Sequence, residues 1–153
     1  MTTTTTTTTT TSAGTPPTTA PSAEPPPPDR MCPVGAIYST PPPEWTSSAD
    51  APAGMRWVFG QKGNVVGMLF ADPPKAGQDN KILWIVKQPR EGFPLQIRAT
   101  RLGSQMPISL TPIPPDSGPG EIYPSGVAVP TPGCWSLTLS WGAVQDVVVV
   151  PFI

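Results

Sequence analysis

The chain has 153 residues, a formal net charge of −1 and only 12% charged side chains, a balance that gives no basic footprint for nucleic acid and no polybasic patch for an anionic membrane. It contains no histidine, which removes the commonest general base, metal ligand and pH switch together, so no cofactor or metal is expected. No stretch reaches the roughly 18 apolar residues of a membrane span, and 25 prolines interrupt the chain too often for long helices.

Residues 1–30 are mostly Thr, Pro, Ser and Ala, with almost no apolar bulk. Such a tract cannot offset the entropy of ordering, so a disordered, Thr/Pro-rich stalk is expected, with candidate O-glycosylation sites. Met1 runs straight into threonines (2–11), without the basic and apolar regions of a signal peptide. The expectation is an extracellular or envelope-tethered protein whose export signal lies upstream of this start; an intracellular chain is the alternative.

Residues 31–153 form the expected folded domain. Segment 31–55 reads as irregular: Pro41, Pro42, Pro43 and Pro52 block regular pairing, and Trp45 is its one large apolar anchor. From residue 56 short strands alternate with turns: 56–60, 64–71, 81–88, 94–102, a weaker 106–113, then 123–129, 134–141 and 145–153. Gln61-Lys62-Gly63-Asn64 marks a hairpin turn with Gly63 or Asn64 at positive φ. No segment holds a 3.6-residue period and no repeat is present. This spacing predicts an all-β fold, an Ig-like β-sandwich of seven or eight strands. The valines at 147–150 are apolar on both faces, as in a strand buried between sheets or covered by a neighbour.

Cys32 and Cys134 are the only cysteines. In 134–141 the residues Trp135, Leu137, Leu139 and Trp141 share one face, and Cys134 falls on the other with Ser136, Thr138 and Ser140. Cys134 therefore points away from the core, and a bridge to Cys32 would pin the N-terminal segment to the outside or end of that strand. Closing a loop of about 100 residues contributes roughly 4–5 kcal/mol in the chain-entropy model. The alternative is two free, buried thiols in a cytosolic protein.

Cys32-Pro33-Val34, Tyr123-Pro124-Ser125-Gly126-Val127 and Val129-Pro130-Thr131-Pro132-Gly133-Cys134-Trp135-Ser136-Leu137 resemble a group of bacterial exported proteins. Those carry CPVT-type starts and a PS-x-hydrophobic-x-P-T-x-GCW block. The resemblance covers about residues 32–153. It implies a secreted or lipoprotein-type β domain and no particular activity. Neither cysteine lies in a lipobox context.

Candidate sites are few. Without histidine, a cysteine nucleophile would need Lys or a carboxylate as its base. The loop carboxylates pair by sequence as Asp72 with Asp79 and Asp116 with Glu121, and read mainly as solvated turn residues. Trp57, Trp84, Trp135 and Trp141 occupy core positions of strands. Trp45 and Tyr123 lie outside clean strands and are the better surface aromatics. Lys87, Arg90, Arg98 and Arg101 surround one hairpin, as an edge-protecting surface or a contact for an acidic partner. Recognition is expected on loops 72–80 and 114–123. The candidate surface residues are thus Trp45, Arg90, Asp116, Glu121 and Tyr123.

The function expected is a non-enzymatic extracellular or cell-envelope module, binding or structural, whose partner is an extracellular protein or an envelope glycan. A protease inhibitor presenting the loop 112–120 is an alternative. A weak hydrolase using Asp116 and Glu121 is another.

Overall fold

Eight strands form where the spacing places them. The computed structural model describes residues 1–3, 32–33, 36–47, 49 and 51–153; the expected stalk, apart from its first three residues, lies outside that set. Strands β1 (Arg56–Phe59), β2 (Val65–Leu69), β3 (Asn80–Val86) and β6 (Ile122–Val127) make one sheet in the order β1-β2-β3-β6. Strands β4 (Gln96–Arg101), β5 (Ile108–Ser109), β7 (Gly133–Trp141) and β8 (Val144–Phe152) make the other, in the order β5-β4-β7-β8. All six pairings are antiparallel. Strands β2, β3 and β6 hold the places of A, B and E in an Ig-type sandwich, and β5, β4, β7 and β8 those of C′, C, F and G; β1 is an added edge strand.

The period of two decides which residues meet between the sheets. Val58, Ile82, Trp84, Ile97, Leu137, Leu139, Trp141 and Val148 are all buried in one cluster, and most are wholly inaccessible. Gly67 stands opposite Trp84 in the β2–β3 register. A side chain at Gly67 would meet the Trp84 ring, with Val58 Cγ2 only 2.9 Å away, so the indole occupies the space that this glycine leaves. Trp84 Nε1 donates to Ser125 Oγ at 2.8 Å, Trp135 Nε1 to the Thr131 carbonyl at 3.0 Å and Trp141 Nε1 to the Gln88 carbonyl at 3.3 Å. Each large core aromatic therefore enters without an orphaned donor. The β1–β2 turn places Gly63 at φ 73°, as its sequence requires.

Strand β8 is not buried between the sheets; it is an edge covered by neighbours. Val148, Val150 and Phe152 face the core, while Val147, Val149 and Pro151 are half-buried outside. The Gln61 N–H donates to the Val147 carbonyl at 2.9 Å, and beyond the strand Ile153 exchanges hydrogen bonds with Pro74 and Ala76 at 3.0 and 2.8 Å. These contacts occupy groups that an open edge would offer to another chain. Asp146 takes an inward position on the same strand and is wholly buried. Its carboxylate accepts from Lys62 N at 2.9 Å and Asn64 N at 2.8 Å, both in the β1–β2 turn, and from Val147 N at 2.8 Å. One side chain of the second sheet thus fixes a turn of the first.

The N-terminal segment covers the outside of the first sheet. Tyr38 makes an isolated bridge with Trp57 on the free edge of β1, and its ring stacks on that indole with centroids 4.5 Å apart. Beyond it, a short 3-10 turn (Glu44–Thr46) sets Trp45 against a second apolar cluster of Trp57, Val66, Met68 and Ile85, with Ala51 and Met55 packed alongside. Trp57 is buried as expected, but in this outer cluster rather than between the sheets.

Removing the Asp146 carboxylate leaves two turn amides facing a buried, unpaired position. Asp146→Ala is expected to lower stability by about 2–4 kcal/mol, read as a drop in the urea midpoint at unchanged slope.

Candidate functional site

The strand registers put the two candidate recognition loops at opposite ends of the sandwich. Val65 stands opposite Val86, Ile85 opposite Ile122, Gln96 opposite Ser140 and Trp141 opposite Val144. Turn 61–64, loops 87–95 and 114–121 and turn 142–143 therefore share one end. Loop 72–79 lies at the other, with the start of β7.

The 72–79 end is knit together by hydrogen bonds. Asn80 is buried, and its amide oxygen accepts from Lys75 N at 2.8 Å. Its Nδ2 donates to the carbonyls of Lys75, Gln78 and Val127 at 2.8, 2.9 and 3.1 Å. Gly77 N donates to the Val129 carbonyl at 2.8 Å. Asp72 pairs with Arg56 at 3.2 Å on β1, whereas the Asp79 carboxylate lies against Gly126 on β6, the opposite edge of the sheet. Asp72 and Asp79 do not form a pair.

The other end brings three of the expected residues together. A shallow cleft of about 420 Å³ is lined by Arg90, Glu91, Gly92, Pro115, Asp116 and Glu121. Arg90 organises it from beneath. Its Nη1 donates to the Ile122 carbonyl at 2.7 Å and its Nη2 to the Gly118 carbonyl at 3.1 Å, so one side chain braces the 114–121 loop. Its backbone N–H donates to Glu121 Oε2 at 2.7 Å, while the guanidinium Nε stands 3.8 Å from the same oxygen. With Glu121 half-exposed, that longer ion pair contributes little; the bonds to the two carbonyls hold the loop. Glu91 adopts φ 50°, uncommon for a residue other than glycine, and Gly92 follows at φ 79°. This tight turn carries the exposed ring of Phe93 over Gly142 in the β7–β8 turn.

Tyr123 corrects the expectation of a surface aromatic. It is wholly buried in β6, and its hydroxyl donates to the Phe93 carbonyl at 2.7 Å. The strand expected at 123–129 forms as β6 despite Pro124, because a proline can occupy an edge strand without interrupting its pairing to β3, and Tyr123 takes a core position in it. The Arg90 guanidinium lies 5.3 Å from the ring centroid, so Tyr123 acts as the floor beneath the arginine. Burial pushes its phenol above the ordinary range; nearby Arg90 opposes this and Glu121 adds to it. Trp45 is half-buried and anchors the N-terminal segment.

The basic residues do not converge. Arg90 is engaged internally, and Arg98 is exposed on the outside of β4. Arg101 has the inward phase of Ile97 and Ala99 and lies against Gly133. Asp146 and Asn80 are the important polar residues that sequence reasoning missed. Their strand context gives one weak signal: each is a short polar side chain at an inward position of an otherwise apolar alternation.

Among the described residues, no group of three or more His, Cys, Asp and Glu side chains is placed to hold a metal ion, and no helix is long and apolar enough to cross a membrane. No family model, curated protein or solved structure matches this chain.

Two outcomes check this geometry. A folded-state phenol pKa above the unfolded value of about 10 contributes stability below that pH and loses it as pH rises through the folded value. Tyr123→Phe should cost about 1 kcal/mol near neutrality, for the lost hydrogen bond, and flatten the decline in urea midpoint between about pH 9 and pH 11. Arg90→Lys keeps the charge but cannot span both carbonyls. Amide exchange in 114–121 should accelerate by about tenfold while β3 and β7 stay protected.

Proposed function

We propose that the chain is a non-enzymatic binding or structural module of the extracellular space or cell envelope, presenting the Arg90–Glu121 end of its sandwich. The observation that carries this reading is the Cys32–Cys134 disulfide, with Cα atoms 5.2 Å apart across a separation of 102 residues. Disulfides of this structural kind persist in oxidising compartments. A rigid sandwich with a braced loop cluster at one end suits recognition better than turnover. The cleft rim carries Glu91, Asp116 and Glu121, while the one arginine is tied up beneath it. Such a rim favours a partner that offers cations or hydrogen-bond donors: a basic protein segment or the hydroxyls of an envelope glycan. The resemblance to bacterial exported proteins points to the same compartment.

A protease-inhibitor reading has one observation in its favour. The 114–120 loop is rich in exposed Pro and Gly yet is held rigid by Arg90, as a loop that resists cleavage must be. Absence of inhibition across a panel of secreted proteases at micromolar protein would dismiss it. Hydrolysis by Asp116 and Glu121 has less support, because one Glu121 oxygen already accepts from the Arg90 amide.

The deciding experiment is the intact mass of the protein from its native host, alkylated before and after reduction. Two sulfurs that take up alkylating agent only after reduction, in an extracellular or envelope fraction, support the proposal. Two free thiols in a cytosolic fraction overturn it.

A further inference from the structure

We propose that the segment from Cys32 to β1 is a redox-latched strap: reduction of Cys32–Cys134 releases it from the first sheet and bares an apolar face, while the sandwich stays folded. This inference concerns the isolated protein and does not rest on the binding reading.

The strap and the sandwich have separate cores. Among the described residues, every fully buried member of the inter-sheet cluster lies at Val58 or later, and from the strap only Ile37 packs against it, partly buried. Removing the strap leaves that cluster in place.

Among the described residues, hydrogen bonding ties the strap to the sandwich at one place. Tyr38 and Trp57 exchange backbone bonds at 2.7 and 3.2 Å, and Trp57 Nε1 donates to the Thr40 carbonyl at 2.7 Å. The remaining backbone bonds of the described residues in 36–51 are local: Ala36 N to Pro33 O, Thr46 N to Pro43 O, Ser47 N to Glu44 O, Ala49 N to Thr46 O and Ala51 N to Ala49 O. Neither ion pair among the described residues involves the strap.

A cleft of about 400 Å³ opens on the strap, lined chiefly by its own residues, with Met68 and Ile85 contributed by the sheet beneath. The disulfide adds a covalent tie. It fastens the far end of the strap to the outside of β7 in the second sheet.

The face beneath the strap differs from the other outer face. It presents Trp57, Val66, Met68 and Ile85, whereas the outside of the second sheet mixes Arg98, Thr100, Ser136 and Thr138 with the half-buried Val147, Val149 and Pro151 of β8. Opening the latch therefore exchanges a covered apolar sheet for an exposed one and frees the β1 edge.

The chemistry is thiol–disulfide exchange with a dithiol. Cys134 is wholly buried and Cys32 half-buried, so a dithiol thiolate attacks Cys32 Sγ. The Sγ–Sγ bond breaks, Cys134 leaves as a thiolate and takes up a proton. The second thiol of the reagent then resolves the mixed disulfide. Two electrons pass to the protein, which gains two thiols, and the dithiol becomes a disulfide.

The test is hydrogen exchange on the full chain, oxidised and after dithiothreitol, with the Cys32→Ser variant examined without reductant. Reduction and Cys32→Ser should each speed exchange at Tyr38, Thr46, Ala49 and Trp57 by at least about tenfold, with β3, β4 and β7 still protected. Binding of an apolar dye should rise in parallel. Unchanged protection at Tyr38 and Trp57 overturns the proposal, because the strap then holds without its latch. Collective loss of protection in β3, β4 and β7 also overturns it, because the bridge is then a global staple.

Discussion

The pleat of β7 governs much of this molecule. Side chains alternate along a strand without exception unless a bulge intervenes, so placing Trp135, Leu137, Leu139 and Trp141 inside forces Cys134 outside. The four inward residues form the middle of the inter-sheet core, between β4 and β8. The one outward cysteine fixes where the N-terminal segment must attach. In antibody-type domains the cysteine on the corresponding strand points inward and joins the two sheets. Here a tryptophan takes the neighbouring core position and the disulfide faces out, so the bridge joins β7 to the N-terminal segment rather than one sheet to the other.

With no disulfide between its sheets, the sandwich is joined by packing and by Asp146. That carboxylate sits at an inward position of an edge strand and accepts from the β1–β2 turn of the facing sheet. A buried charge is tolerated only where hydrogen bonds replace water, and three backbone donors do so here. The same arrangement protects β8: its valine run would be aggregation-prone if open, yet the turn that Asp146 holds in place also occupies the Val147 carbonyl. Asn80 plays the matching part at the opposite end, gathering the 72–79 loop around one amide. One end is thereby knit together around Asn80, and the other is organised by Arg90 and Tyr123.

Sequence alone determined most of the strands, because short apolar or alternating runs stand between turn residues, and it determined the outward phase of Cys134, because that phase is local to one strand. It placed Trp84, Trp135 and Trp141 in the core for the same reason. Tertiary structure decided the rest. Tyr123 is buried because β6 crosses back beside β3, which no local pattern around Pro124 announces. The meeting of Arg90, Asp116 and Glu121 in one cleft, and the separation of Asp72 from Asp79, follow from strand order. So does the contact of Asp146 with residues 82 and 84 positions earlier in the chain. Periodicity is written residue by residue, whereas the partner of a polar side chain across a sandwich depends on which strands become neighbours, and that is settled only when the sheets pack.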